Sequence, residues 1–359
     1  MFLYTLSVFT TFPQKHYLNL FLFKLYSQYN DTGFSWALTL STLPIVAVAF
    51  PGMFMNIALI WVTITKSKFH GTSNILLAQC AFYEIIHEIG ILIMFYFNLM
   101  GINFLTYSQT VAVFFIPIFA ASGIGPLFVF TGLDRMLCVI FPTFPNQIRP
   151  RIYLTLISVI CASYCAIFPV GFYWFNNIDP DTLVPPTFND IFSRGTFGTI
   201  YTYSCFILYN IAIILYVAVG ILVKIKSDAS SSQHLNCRLY RSLLIIIIFN
   251  LGGYYIMRVF SFWIYPLLTN QINAWFIRKA VSILLNISAA SNAPVLYFTS
   301  SDYKTAFIQI FTNIPLLKSK ISPNINAATG HTAAVNRLQI QQKLMATQNA
   351  NQIYPIPLK

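Results

Sequence analysis

The 359-residue chain is 57% hydrophobic and only 8% charged, where an ordinary soluble domain carries roughly 25% charged residues. That much apolar surface cannot be hidden in water-soluble cores, so the lipid bilayer must act as solvent for much of it. The net charge of +12 does not argue for a nucleic-acid partner, because the basic residues lie mainly between and after apolar stretches, where they mark membrane topology.

The first 26 residues are apolar and aromatic and lack both a basic leader and a small-residue cleavage site. They read as an interfacial segment or as a mispredicted start, not as a signal peptide. Asn30-Asp31-Thr32 is a glycosylation sequon, with Asn30 as the acceptor if this segment is outside. A spanning helix needs about 20 mainly apolar residues. Seven stretches qualify, at 39–64, 74–98, 110–138, 153–175, 198–223, 239–266 and 274–298. Asn286-Ile287-Ser288 also matches the sequon but lies inside the seventh stretch, where no modification is expected. After the last stretch, Ser300 or Ser301 is placed to cap a short helix, and Tyr303, Phe307, Ile310 and Phe311 recur at helical spacing with Lys304 opposite. That pattern predicts an amphipathic helix lying on the membrane surface. From Asn313 the chain is rich in Asn, Gln, Ala, Thr and Lys, a composition that predicts disorder.

Orientation follows from the basic residues. With the N-terminus outside, fifteen Lys and Arg fall on the cytoplasmic side, among them Lys66, Arg135, Arg149, Lys224, Arg238 and the tail lysines, and six fall outside. The expectation is an all-α protein, a seven-transmembrane helix bundle with the N-terminus outside and a short amphipathic helix after the seventh span. Its layout is 1–38 outer segment, 39–298 bundle, 299–312 surface helix and 313–359 cytoplasmic tail. Cys80, Cys138, Cys161, Cys165, Cys205 and Cys237 all lie in or beside apolar segments and read as small apolar residues, not as a disulfide framework or a metal site.

An ionisable side chain in hydrocarbon costs about 2.5–3.5 kcal/mol on insertion scales and is a site hypothesis by default. Glu84 and Glu88 lie four residues apart in the second stretch, with His87 beside them, so they share a helix face. Both ionised they would repel, which calls for a proton on one or a cation between them. Either this is an ion or proton switch, or it is a polar cluster satisfied by neighbouring helices; for Glu84 the first reading is favoured, for Glu88 the second. Asp134 and Arg135 end the third stretch, with the Asp placed to hold the Arg. The seventh carries Ser288, Ser291, Asn292, Pro294 and Tyr297; Pro294 removes a backbone donor and bends the helix, making a hinge. Near the outer ends, Arg258, Trp263, Trp275, Arg278 and Lys279 either line a ligand pocket or anchor the helices at the interface.

Order and spacing resemble the rhodopsin-like receptors, and specifically the nematode serpentine chemoreceptor class Srsx, over residues of about 40–311. The matching segments are Pro51 to Asn56, Asn74 to Glu84, Asp134-Arg135-Met136 with Pro142, Asn292 to Tyr297, and Ser301 to Phe307. The resemblance implies a chemosensory receptor of the plasma membrane that takes an extracellular small-molecule or peptide ligand and activates a heterotrimeric G protein. Arg135, with Asp134 and Pro142, would meet the G protein. Glu84 would join Asn56, Ser288 and Asn292 in a polar cluster, with a sodium ion near Glu84. Other family features are absent. Neither cysteine of the outer disulfide is present, Thr110 standing at the first position, and Asn250 to Tyr255 replaces the Trp-x-Pro signature of the sixth stretch. An enzyme is not expected, since no metalloprotease, nucleophile-elbow or paired-aspartate motif occurs. A transporter or ion channel using Glu84, Glu88 and His87 is the alternative, although no repeated halves are visible.

Overall fold

A computed structural model describes residues 24–141, 149–228 and 247–313. Pro142, Cys237, the first 23 residues and the tail beyond 313 lie outside the described residues. In chain order the helices are α1 (Trp36–Thr65), α2 (Thr72–Leu99), α3 (Tyr107–Val113), α4 (Phe115–Ile140), α5 (Pro150–Trp174), α6 (Phe188–Phe192), α7 (Gly195–Asp228), α8 (Gly252–Val259), α9 (Gln271–Ala290), α10 (Asn292–Thr299) and α11 (Ser301–Asn313). Two short strands, β1 (Leu105–Thr106) and β2 (Leu183–Val184), pair antiparallel. The first compact unit of the chain ends at Tyr303 and the second begins at Lys304, where the described residues, 304–313, are helical.

Helices α1, α2, α4, α5 and α7 are long and apolar enough to cross a membrane, and α9 with α10 makes a sixth candidate bent by 50°. The stretch expected at 239–266 is described from Ile247 onward. There α8 sits between two π-helical turns, Ile247–Leu251 and Phe260–Ile264. The expected third stretch begins earlier than its apolar run suggests, with α3 separated from α4 by a break at Phe114. Thr106 caps α3 in a capping box with Gln109, and Pro150 opens α5 at the first turn, where its missing donor is harmless.

The outside of the bundle is apolar. Ile214, Val217, Ile221 and Ile225 form an exposed stripe along α7, and Trp61 and Ile64 do the same near the end of α1. Such faces suit lipid, not water. Polar side chains turn inward or back onto their own helix. Thr39, Thr42 and Thr63 donate to carbonyls four residues earlier, which satisfies each hydroxyl without a partner helix. Asn98 reaches from α2 to Thr42 at 2.8 Å. Ahead of α1, residues 24–29 are helical, and Leu25 and Tyr29 pack with Leu38 and Trp275. At the far end, Lys68 pairs with Asp302 at 2.8 Å, Phe69 stacks on Tyr303, and Ser300 caps the start of α11.

Glycine decides the contact between α8 and α9. A Cβ on Gly253 would lie 2.1 Å from the Leu284 carbonyl oxygen and 2.3 Å from Ser288 Oγ, whereas one on Gly252 would meet nothing within 4 Å. The neighbouring glycines therefore differ in kind: Gly253 permits a close helix approach and Gly252 faces open space. Gly253→Ala should destabilise the bundle by about 1–3 kcal/mol through overpacking, while Gly252→Ala should be neutral or slightly stabilising. Thermal unfolding in detergent separates them, and equal melting temperatures would remove the close-contact explanation.

Candidate functional site

A cavity of about 60 Å³ lies within the bundle, lined by α2, α4, α7, α8 and α9. Its roof is the loop element carrying Thr187, Phe188, Asn189 and Phe192. Phe188 drives into the bundle against His87 and Phe114 at ring distances of 5.2 and 5.1 Å, where Gly90 leaves no room for a side chain of its own. Phe192 stacks on Tyr201 at 4.1 Å.

The roof is held by one buried carboxylate. Thr187 caps α6, and Asp190 accepts from the Thr187 hydroxyl at 2.6 Å, from Trp275 Nε1 at 3.0 Å and from Arg194 at 3.0 Å. Both Asp190 and Arg194 are 2% exposed. Burial alone would push the Asp190 carboxyl up, but the Arg194 guanidinium and the Thr187 and Trp275 donors hold it below the usual carboxylate range. The same loop is tied to the head of α3 by the β1–β2 pair, by Tyr107 N donating to Thr182 O at 2.8 Å, and by Asn176 donating to the Tyr107 hydroxyl at 2.5 Å. Gly195 closes the turn into α7 with φ +65°, and a Cβ there would sit 2.0 Å from Asn176 Oδ1.

Of the residues expected to line a ligand pocket, Arg258, Arg278 and Lys279 do so. Trp263 does not; it is 63% exposed on the outside of the bundle. Trp275 lies behind the lining, between Asp190 and Lys279. Below the cavity, Tyr254 donates to both Glu84 oxygens, at 2.6 and 2.5 Å. His87 Nδ1 lies 3.8 Å from Glu84 Oε2, too far for a hydrogen bond.

The expected grouping of Glu84 with Asn56, Ser288 and Asn292 is not what the bundle builds. Glu84 and Glu88 turn to different neighbours. Glu88 is fully buried beside Gly52 and Ala290, with the Asn56 side chain as a neighbouring polar group. Asn56 instead donates to Ala289 O at 3.1 Å, at the bend between α9 and α10. Ser288 accepts from Gly253 N at 2.9 Å and donates to Phe249 O. Asn250 bonds Asn292 and Ser291. The bend itself falls at Ser291, three residues before Pro294, and Ser291 Oγ donates to Ser288 O at 2.7 Å. Tyr297 is half-buried in α10. The single Tyr254 hydroxyl hydrogen is shared between the two Glu84 oxygens, which leaves acceptor lone pairs on both.

At the other end of α4, Asp134 is fully buried and accepts from Ser73, not from Arg135 as expected. Arg135 is half-buried and has no ion pair among the described residues. Lys226 of α7 caps the Val139 and Ile140 carbonyls where α4 ends. Asn30 stands in a 3-10 turn, and the Thr32 hydroxyl of its sequon donates to Tyr29 O at 2.9 Å.

Comparison with protein families matches residues 49–311, most of the chain, to the serpentine type 7TM GPCR chemoreceptor Srsx. The chain belongs to the Srsx family. It is a multi-pass membrane protein of the serpentine chemoreceptor class. No curated protein matches it.

Two features of this Srsx chain escaped the sequence reading. One is the Asp190 clasp, whose signal was Thr187 three residues before Asp190 and Arg194 four after it, a cap followed by a helical ion pair. The other is Tyr254, which no local pattern separates from the many other tyrosines. Outside the cavity, a wider groove of about 820 Å³ between α1 and α9–α10 has no ionisable residue in its lining.

Asp190→Asn should loosen the roof and leave Arg194 buried without its counter-charge, a loss of about 3–5 kcal/mol. Hydrogen exchange over residues 176–194 should rise, and unchanged protection would exclude the clasp. Because the folded carboxyl is depressed, its contribution is complete above the unfolded value of about 3.9. It is lost only as pH falls below that, through the folded value. The roof should therefore stay closed from neutral pH down to about pH 4.

Proposed function

We propose that this protein is a seven-span receptor of the plasma membrane, with its N-terminus outside. In this reading it binds an extracellular small-molecule or peptide ligand in the roofed cavity and activates a heterotrimeric G protein at the opposite end. The observation that carries the reading is the hydrogen bond from Tyr254, in the cavity lining, to Glu84 in the bundle core. It joins the ligand space to α8, the helix held against α9 by the Gly253–Ser288 contact, while Asn250 in the turn before α8 bonds Asn292 of α10. A ligand that favours one placement of Tyr254 shifts α8 relative to α9 by no more than its differential affinity for the two states. The π-helical turns on both sides of α8 supply deformable points, as such turns do at functional sites.

Arg135, with no ion pair in its half-buried position among the described residues, would be the side chain that meets the G protein as the helices part. Asp134 would support it indirectly, by fixing the end of α4 to the start of α2 through Ser73; Pro142 in the loop beyond belongs to the same expected contact surface. The fifteen-to-six split of basic residues supports the orientation, and on it the Asn30 sequon faces outside. In this reading coupling runs through the tyrosine–carboxylate bond.

Arg135→Ala should cut G-protein activation in cells by about tenfold or more while surface expression holds; signalling at wild-type level would remove Arg135 from this role. Tyr254→Phe and Glu84→Leu should each change basal activity in the same direction, since the first removes the donor and the second the acceptor of one bond. Basal activity equal to wild type in both, at matched surface levels, would remove the Tyr254–Glu84 link from the coupling route.

A further inference from the structure

Three cations face the cavity and none of them has an acid. Arg258, Arg278 and Lys279 are 9%, 6% and 2% exposed, and among the described residues no carboxylate lies within ion-pair distance of any of them. Their contacts are those of cations without a counter-ion. The Arg258 guanidinium lies over the Tyr201 ring at 4.7 Å, and its Nε has no acceptor. Arg278 donates to Asn189 O at 2.8 Å and lies over the Tyr265 ring at 5.1 Å, and its Nε also has no acceptor. The Lys279 ammonium lies over Trp275 at 5.0 Å and donates to Met94 Sδ at 2.9 Å, a thioether being a weak acceptor.

The acid near this group is committed elsewhere. Asp190 Oδ1 takes Arg194, and Oδ2 takes Thr187 and Trp275. Its charge acts on Arg278 and Lys279 only from beyond contact distance. Glu84, below the cavity, is occupied by Tyr254. Buried charges in membrane proteins are ordinarily paired, and leaving one unpaired is costly. Three together in the lining of one cavity point to a partner that arrives from outside the chain.

We propose that the cavity binds a small organic anion, whose oxyanion head meets Arg258, Arg278 and Lys279 and whose short apolar tail lies against Ile91, Ile124 and Leu285. Two guanidinium forks match a planar oxyanion, and the ammonium adds a third donor group. A free volume of about 60 Å³, near that of two waters at ~30 Å³ each, limits the ligand to a few heavy atoms unless the roof lifts. This assignment takes the cavity of the receptor reading as the ligand site and narrows the ligand to an anion.

The test is thermal unfolding of the purified full-length protein in detergent, at constant ionic strength, with propanoate, methyl phosphate, propanamide and propylamine as probes. A ligand that binds only the folded state raises the melting temperature with concentration. Propanoate or methyl phosphate should do so, and the larger response names the head group; the neutral amide and the amine should not. Lys279→Met and Arg258→Gln should each weaken the anion response by about tenfold or more. They should leave the ligand-free protein as stable as wild type or more so, because each removes a cation without a partner; a purely structural cation would lose stability instead. Equal responses to propanoate and propanamide would overturn the proposal, and so would wild-type anion responses in both variants. Should Lys279→Met fail to fold, Arg258→Lys, which keeps the charge but not the fork, serves in its place with the same expected loss. Anion-selective binding without G-protein activation would uphold the site and sink the receptor reading, whereas activation by a neutral ligand, with no anion response, would do the reverse.

Discussion

A polar group left without a partner in hydrocarbon costs several kcal/mol, and this constraint orders the whole molecule. Lipid-facing positions are filled by side chains such as Ile214, Val217 and Trp61. Threonine hydroxyls fold back onto their own helices. Groups that cannot be satisfied locally are gathered into the interior, where helices from distant parts of the chain supply partners: Asn98 to Thr42, Tyr254 to Glu84, Asn56 to the Ala289 carbonyl. The interior of this bundle is therefore where its chemistry must be, and its exceptions carry the information. Among the exceptions are Glu88 and the three cavity cations, which have no acid within ion-pair distance among the described residues.

The roof shows how a loop can be fixed without a covalent bridge. The cysteines that tie this loop in related receptors are missing, as the sequence made plain. In their place stand a two-residue antiparallel pair, the Asn176–Tyr107 contact and a buried ion pair anchored on Trp275. These ties are individually weaker than a disulfide, but together they place Phe188 and Phe192 over the cavity. Unlike a disulfide they open and reclose without redox chemistry.

The seam between α8 and α9 has a related economy. The chain lacks the Trp-x-Pro signature in this stretch, and the glycine pair there reads at first as a source of flexibility. Gly253 does the opposite: it brings α8 so close to Leu284 and Ser288 that no side chain fits. Departure from regular helix is displaced to the π-helical turns on either side.

Composition and periodicity alone determined that the chain is helical, that it lives in a bilayer, and within a few residues where α1, α2, α4, α5, α7 and the bent α9–α10 pair run. Those properties depend on local hydrophobicity, which each stretch carries by itself. Candidates among the polar residues were legible too: Glu84, Glu88, Arg258, Arg278 and Lys279 stand out because ionisable side chains are scarce in apolar runs. Who meets whom was not legible. Glu84 and Glu88 lie on one helix face, yet one meets α8 and the other packs beside α1 and α9. Asp134 precedes Arg135 but binds Ser73 of another helix. Trp263 and Trp275 look alike in sequence, and one faces outward while the other anchors the roof. Partnership depends on the rotation and depth of each helix against its neighbours. Those are set by side-chain packing between segments far apart in the chain, as at Gly52, Gly90 and Gly253, and only the tertiary structure decides them.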